Sequence, residues 1–239
     1  MSSILKTLAL LLFVFCSGSL WAKPKVLIFC KTAGFHHKSI GPGITALQLL
    51  GKQNKFNVDT TTDATRFSYN NLKKYDAVIF LNTTGDVLND AQQLEFQKYI
   101  RSGKGFVGIH AATDTEYEWP WYGQLSGAYF SSHPKVQQAV LQVVEPANDF
   151  TKHLPAKWTK TDEWYNFKWI SDKLHVVLTL DESSYTGGKN GVGHPMSWYQ
   201  EFEGGRVFTT ALGHTDESYT DPLFLQHVLA GIRYAIGKK

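Results

Sequence analysis

The sequence contains little cysteine, and this limits how the fold can be stabilised. Of its 239 residues only Cys16 and Cys30 are cysteines, and Cys16 lies in an N-terminal segment that we expect to be removed. One remaining cysteine forms no intramolecular disulfide, so an apolar core must stabilise the chain. With 43% hydrophobic and 19% charged residues, the composition is typical of a globular domain.

Basic stripes are missing too, and the longest apolar run is short. The formal net charge is only +3, and no stripe of Lys and Arg favours a nucleic-acid partner. An apolar run from Leu8 to Phe15 follows a lysine and precedes small residues ending at Ala22. This is the layout of a secretory signal peptide, well short of the roughly 20 residues of a membrane span. We expect residues 1–22 to be cleaved, residues 23–239 to form the mature domain, a periplasmic or secreted location and no stable membrane insertion after cleavage.

The first half of the mature chain alternates between strand and helix patterns. "KVLIFC", "YDAVIFLNT" and "GFVGIH" are apolar runs typical of strands covered on both faces. "ITALQLLGKQ" and "DAQQLEFQKYI" have helical spacing, and Asn89 is placed to cap the second of them. Strands that alternate with helices predict right-handed crossovers and a parallel sheet.

The second half is less regular. "VQQAVLQVV" and "HVVLTLD" are predicted strands, while "MSWYQEF", "EGG" and "RVFTTALG" predict a β-hairpin. Asp221 and Pro222 open a C-terminal helix. No repeat, linker or low-complexity tract divides the chain, so we predict one α/β domain.

Polar residues collect where the predicted strands end. Ligands of an open parallel sheet bind beyond the carboxyl ends of its strands. The candidates at strand ends are His36, Asn82, Thr83, His110 and His214, and those in nearby loops are Asp114, His133, Glu163, Tyr165 and His194. We expect several of them to share one site.

The histidines allow three interpretations. Neutral imidazoles bind metal, a single imidazole transfers protons near neutral pH, and any of them can hydrogen-bond sugar hydroxyls. No HExxH motif is present, so a metal site would have to assemble from distant segments. Of the adjacent His36 and His37 only one should face the site; we expect His36 to do so and His37 to meet solvent or cap the next helix.

Several ordered segments together resemble the ThuA-like (trehalose utilisation) family. They are "TAGFHHKSI", "GIHAATDT", "GAYFSSHP", "DEWYNF" and "GRVFTTALGHTDESY" followed by "DPLFLQHVLAGIRYAI". The resemblance implies a single flavodoxin-like domain of the class I glutamine amidotransferase-like superfamily. Such a domain has a mostly parallel sheet with helices on both faces, here with a β-hairpin near the C-terminus.

The resemblance also bears on chemistry. In amidotransferases of this fold the turn after the equivalent strand presents a nucleophilic cysteine, whereas "GIHAA" places His110 there. Imidazole forms no thioester, so glutamine hydrolysis is not expected. The family name implies disaccharide catabolism, in which sugars are oxidised to 3-keto derivatives and then cleaved or isomerised.

Two hypotheses from different classes follow, with a small-molecule carbohydrate as the partner in both. The first is a hydrolase, lyase or isomerase of a sugar or keto-glycoside. In it His110 and Glu163 act as acid and base, and His36, His133 and His214 hold a divalent metal, zinc before others, or donate directly. The second is a non-catalytic carbohydrate-binding or accessory protein. A metal-dependent hydrolase of a non-sugar substrate is a third option. The predicted substrate-binding residues are Asn82, Thr83, Asp114, Trp119, Trp121, Tyr165 and His194, the tryptophans because the chain is 14% aromatic and such rings stack on sugars.

Overall fold

The structure, a computed structural model, describes residues 22–237, so residues 1–21 of the predicted signal peptide lie outside it. The strands are β1 (Lys25–Phe29), β2 (Asn57–Thr61), β3 (Ala77–Leu81), β4 (Gly105–Ile109), β5 (Ala128–Ser132), β6 (Gln137–Val143), β7 (Lys157–Asp162), β8 (Asn166–Ile170), β9 (His175–Asp181), β10 (His194–Phe202) and β11 (Gly205–Thr210). The α-helices are α1 (Ile40–Asn54), α2 (Tyr69–Leu72), α3 (Asp90–Arg101), α4 (Pro120–Ser126) and α5 (Pro222–Ala235).

Five strands form the parallel half of a large sheet. They lie in the order β2-β1-β3-β4-β11, and each pairs in parallel with its neighbour. This is the 2-1-3-4-5 order of flavodoxin-like folds, with β11 as the fifth strand. The predicted flavodoxin-like α/β fold is therefore confirmed.

Helices cover both faces of this half because the buried strands carry apolar residues on both sides. On one face Val26 and Ile28 of β1 pack in a core with residues of α1 and α5. On the other face Leu27 and Phe29 pack in a core with residues of α2, α3 and α4.

Strands β10, β9, β6 and β7 extend the sheet beyond β11 as antiparallel neighbours. The turn at Glu203 and Gly204 joins β10 to β11, so the predicted hairpin is confirmed. Strands β5 and β8 pair separately as a small two-stranded sheet. In the chain, the six strands β5 to β10 are inserted between β4 and β11, the fourth and fifth parallel strands.

Local sequence explains where two of the long helices, α3 and α5, start. Asn89 accepts a hydrogen bond from the Gln92 amide in a full capping box before α3, and Asp221 accepts one from Leu223 before α5. Both caps satisfy amide groups that the first helical turn leaves unpaired. Within the described residues no helix is long and apolar enough to cross a lipid bilayer.

Candidate functional site

Histidines follow three strands of the parallel half. A loop after β1 reaches His37, β4 ends directly at His110, and a short segment after β11 reaches His214. The carboxyl ends of parallel strands meet at one edge of the sheet, so these loops are neighbours. The three ring centroids are 5.0–5.2 Å apart, and the ring planes are inclined to one another by 72–89°.

His110 occupies a sharp turn at the end of β4. Its φ of 50° lies in the left-handed region, which is uncommon for residues other than glycine. The turn buries the ring completely and aims Nδ1 at the carbonyl oxygen of Ala211, 2.8 Å away. A carbonyl oxygen only accepts hydrogen bonds, so Nδ1 carries a proton, and Nε2 is the nitrogen that bears the lone pair whenever the ring acts as a metal ligand.

Glu163 reaches the histidines through its neighbour Asp162. The buried Asp162 carboxylate accepts hydrogen bonds from the backbone amides of Gly213 and His214 at 2.9 and 3.0 Å, and from the Ser218 hydroxyl at 3.2 Å. These bonds tether the end of β7 to the loop after β11. Glu163, the next residue, is thereby brought against His110 and His214.

The result is a four-membered cluster of His37, His110, His214 and Glu163, called the imidazole cluster below. One potential ligand atom from each member lies within 4.8 Å of the other three. His110 Nε2 is 3.2 Å from His214 Nδ1, and Glu163 Oε2 is 3.5 and 3.1 Å from the same two nitrogens. All four residues are buried except His214, whose side chain is 23% exposed.

The cluster has a marked electrostatic character. Burial, together with the charges of His110 and His214, lowers the pKa of His37 to about 3. Burial would raise the pKa of Glu163, but its hydrogen bonds with His110 and His214 outweigh that effect and hold the pKa well below the usual range. Burial likewise lowers the pKa of His214, but its contact with Glu163 and nearby acidic charges leave it raised overall. The cluster therefore keeps a carboxylate anion beside imidazoles at neutral pH.

His133 contacts the cluster from outside. Its Nδ1 lies 2.9 Å from Oε1 of Glu163, the oxygen that faces away from His110 and His214, and 2.8 Å from the carbonyl oxygen of Pro134. The side chain is 42% exposed. His133 thus lies between the carboxylate and solvent, and it is not one of the four converging residues.

The expected positions of the adjacent side chains of His36 and His37 are reversed. His37 is buried in the imidazole cluster, whereas His36 is exposed and its Nδ1 lies 3.3 Å from the Thr32 hydroxyl. The preference for His36 was wrong because the loop after β1 is anchored outside the site and turns inward only at His37.

Four of the predicted substrate-binding residues lie around or behind the cluster. Tyr165 packs its ring 4.3 Å from His110. Asn82 and Thr83 are fully buried and hydrogen-bond Ser39 and Thr115, respectively. Asp114 is half-buried and accepts a hydrogen bond from Tyr117.

His194 is placed behind the site and does not face it. The ring is fully buried, with Nε2 donating to the Tyr165 carbonyl oxygen at 2.8 Å and Nδ1 2.9 Å from Glu182. Both ring nitrogens are occupied within the protein, so the predicted substrate contact is corrected to a contact that holds the chain at Tyr165.

The tryptophans predicted to flank the site are elsewhere. Trp119 is buried and stacks on Trp121 at 5.0 Å, in the core beneath α3. Trp121 donates its indole hydrogen to Glu203 at 2.8 Å. Glu203 lies in the turn before β11, at the opposite sheet edge from His110. The prediction was wrong because the chain after Asp114 turns away from the carboxyl ends of the strands.

Asp162, which holds Glu163 in place, was not among the predicted site residues. Its only signal was its position beside Glu163 at the end of a strand. The four hydrogen bonds that its carboxylate accepts involve residues that are more than fifty positions away or directly adjacent. Nothing local in the sequence encodes the distant partners.

Comparisons with known proteins agree with this architecture. The family model ThuA, described as trehalose utilisation, matches residues 25–235. A solved ThuA-like protein from Bacteroides uniformis is 25% identical with a TM-score of 0.77, covering 89% of this chain and 91% of that one. Another from Parabacteroides merdae is 20% identical with a TM-score of 0.73, covering 90% and 91%.

The fold also matches PurLQS from Thermotoga maritima, at 14% identity and a TM-score of 0.55, over 89% of this chain and 99% of that one. The predicted class I glutamine amidotransferase-like fold is thereby confirmed. No curated protein sequence matches the chain.

Proposed function

Because the chain belongs to the ThuA family, whose model covers residues 25–235, we propose that it is an enzyme of carbohydrate catabolism. Its imidazole cluster holds a divalent metal ion, zinc before others, and acts on a sugar or glycoside that carries a carbonyl group. The observation that supports this most is the convergence of three imidazoles and one carboxylate within 4.8 Å.

The residues fit a metal by geometry and by donor type. Four ligands at zinc distances stand about 3.3 Å apart at the corners of a tetrahedron. The contacts among His110, His214 and Glu163 are 3.1–3.5 Å. His110 has its lone pair on Nε2 because Ala211 fixes its tautomer, the support that ligating histidines usually have. The buried Nδ1 of His37 has no hydrogen-bond partner within residues 22–237, which also suits a site that a ligand completes.

The chemistry of the cluster supports ligand roles for Glu163 and His110. A carboxylate whose pKa is held well below the usual range is a weak base but a good metal ligand. A bound divalent ion polarises a carbonyl oxygen and stabilises negative charge that develops on it. We therefore propose ligation as the role of these two residues, in place of the acid and base roles first assigned to them.

Proton transfer then falls to a group outside the cluster. Burial raises the pKa of the half-buried Asp114, and this effect outweighs the hydrogen bond from Tyr117 and the charges of His110 and His133, which lower the pKa. A raised pKa brings a carboxyl closer to neutral pH, where a general acid or base is most effective. We propose Asp114 for this role, with removal of a proton from carbon beside the sugar carbonyl as the step it assists.

The proposal excludes glutamine hydrolysis. His110 occupies the turn where an amidotransferase presents its cysteine. Cys30, directly after β1, is buried, and its thiol is directed at the Thr61 carbonyl oxygen. Burial raises the pKa of that thiol, which makes it a poor nucleophile. We also propose export to the periplasm or beyond, on the basis of the N-terminal sequence alone.

Elemental analysis with a matched histidine pair tests the metal. The full-length chain is expressed, its processed form is purified, and divalent metals are quantified in the wild type, His37→Ala and His36→Ala. We expect about one zinc ion per chain in the wild type and His36→Ala, and loss of the ion in His37→Ala. A metal-free wild type that still converts a 3-keto-glucoside contradicts the metal proposal.

A panel of 3-keto-glycosides and their parent glycosides tests the reaction. We expect turnover of a keto-sugar by the zinc-loaded protein and loss of that turnover in His214→Ala. A zinc-loaded wild type that binds these sugars without converting any of them favours the accessory-protein hypothesis instead.

A further inference from the structure

Phe35 is a large apolar side chain exposed beside the imidazole cluster. It is 65% exposed, and its ring meets the His37 ring edge-on at a centroid distance of 4.8 Å. Exposure alone carries no meaning, since single apolar residues are common on protein surfaces. Leu94 is 64% exposed and lies on α3, a helix that contributes no residue to the imidazole cluster. What distinguishes Phe35 is its position and the loop that holds it.

The loop that presents Phe35 is fixed on both sides by Thr84. Ala33 donates its amide to the Thr84 carbonyl oxygen at 2.7 Å, and Gly34 donates to the Thr84 hydroxyl at 3.2 Å. The same hydroxyl donates to the Phe35 carbonyl oxygen at 2.9 Å. Backbone bonds on either side of the ring prevent the loop from folding inward to bury it. The ring is therefore held in solvent next to the cluster.

The other aromatic rings near the cluster are not free in this way. Tyr165 is 2% exposed and packs against His110. Phe130 packs at 4.2 Å on the Tyr165 ring. Trp119 is buried in the core and stacks on Trp121, whose indole bonds Glu203 at the opposite sheet edge. Phe35 is thus the exposed ring that a substrate entering toward His37 would meet.

We propose that Phe35 is a platform on which the C–H face of a cyclic sugar stacks while the oxygens of that sugar face the imidazole cluster. The π face of phenylalanine is electron-rich, and the ring hydrogens of a pyranose are slightly positive. The side chain offers no hydrogen-bonding atom, so it selects the flat C–H face and not a hydroxyl pattern. Exposed His36, the next residue in the chain, and exposed His133, which contacts Glu163, supply polar groups for the sugar hydroxyls. This inference rests on the proposed function and narrows its substrate class to cyclic sugars with a continuous C–H face.

Steady-state kinetics and titration calorimetry on four variants test the platform. They are Phe35→Ala, Phe35→Trp, Phe35→Leu and the exposure-matched control Leu94→Ala. For a keto-glycoside substrate we expect Phe35→Ala to raise KM about tenfold, equivalent to ~1.4 kcal/mol of binding, with kcat changed less than about threefold. Phe35→Trp should restore KM, whereas Phe35→Leu should not. The KM and kcat of Leu94→Ala should match those of the wild type. All four variants should contain as much zinc as the wild type.

The outcomes separate this inference from the proposed function. An active wild type whose KM is unchanged by Phe35→Ala, or fully restored by Phe35→Leu, overturns the platform and leaves the proposed function standing. A wild type that neither converts nor binds any sugar overturns both. If the wild type binds unreactive methyl glycosides without turnover, calorimetry decides: Phe35→Ala must weaken that binding about tenfold, and unchanged affinity refutes the platform.

Discussion

Two buried glutamates, Glu163 and Glu116, show how differently one side chain is used in two loops of this protein. Glu163 is 6% exposed and Glu116 is 1% exposed, so burial alone would raise both pKa values. The pKa of Glu163 is nevertheless held well below the usual range by His110 and His214. Burial raises the pKa of Glu116 to about 7. Two amide hydrogen bonds lower this pKa in part, whereas the nearby Asp86 carboxylate raises it further.

The partners of the two carboxylates explain their different uses. Glu116 accepts hydrogen bonds from the amides of Val87 and Leu88 at 2.9 and 2.7 Å and from the Gln93 side chain at 2.8 Å. These bonds fix the loop before α3. An amide N–H group has no lone pair with which to bind a metal ion. The oxygens of Glu163 face imidazole nitrogens, which can exchange a hydrogen bond for a metal ion. A buried carboxylate therefore suits a reactive site when its partners are groups that can also bind a metal ion, and a structural role when they are amide groups.

The sharpest test of this comparison is to neutralise each carboxylate. We expect Glu163→Gln to lower zinc affinity on the order of a thousandfold, because losing a ligand costs more than the 10–100-fold typical of an outer contact. Glu116→Gln should leave zinc affinity unchanged. Competition with a fluorescent zinc chelator measures both, and thermal unfolding checks that each variant is folded. Equal losses in the two variants would contradict the distinction.

Glu116 should make the free energy of unfolding depend on pH. A carboxyl with a raised pKa binds its proton more tightly in the folded than in the unfolded protein. Its contribution to the free energy of unfolding is fully present below about pH 4.5 and is lost as pH rises through about 7. Glu116→Gln removes that contribution. The free energy of unfolding of the wild type, minus that of the variant, should thus fall by up to about 3 kcal/mol between pH 4.5 and 8.

Urea unfolding of both chains at several pH values, with a chelator present, measures this difference. The chelator removes any stabilisation by bound metal, which would otherwise add its own pH dependence. A difference that stays constant with pH, or that grows as pH rises, would show that the proton on Glu116 is not coupled to folding.

The fold could be predicted from the sequence because its signals are local. Apolar runs mark β1, β3 and β4, and Asn89 and Asp221 cap α3 and α5 as expected. The rule that ligands bind at carboxyl ends of parallel strands then placed His110 and His214 near each other. These predictions needed only residues within one element or the order of the strands.

The remaining features of the site depend on distant contacts. His37 faces the cluster because Thr84, some fifty residues away, fixes the loop that precedes it. Glu163 arrives because Asp162 bonds the amides of Gly213 and His214. Trp121 is close to His110 in sequence but lies at the other sheet edge. Sequence spacing gives no information on such tertiary hydrogen bonds. The predicted positions of the His36 and His37 side chains were interchanged for this reason.

His133 should have an intermediate effect on zinc affinity, since it contacts Glu163 without converging on the other members of the imidazole cluster. It holds Oε1 at 2.9 Å and leaves Oε2 directed at His110 and His214. We expect His133→Ala to lower zinc affinity roughly tenfold to a hundredfold, the range for contacts that orient a ligand. The exposed His36→Ala is the matched control and should change nothing in the same chelator competition. A loss as large as that of Glu163→Gln would instead make His133 a ligand.

The smallest effect is expected at a third carboxylate, Glu203, which is paired at the surface. It bonds Arg101 at 2.8 Å and the indole of Trp121 at 2.8 Å, and its side chain is 34% exposed. Trp121→Phe removes the indole hydrogen bond but keeps a ring to stack on Trp119. Because water competes for such exposed bonds, the free energy of unfolding should fall by less than about 1 kcal/mol. Zinc affinity and KM for the keto-glycoside should be unchanged. An increase in KM without loss of stability would return this tryptophan to the substrate site and weaken the assignment of that role to Phe35.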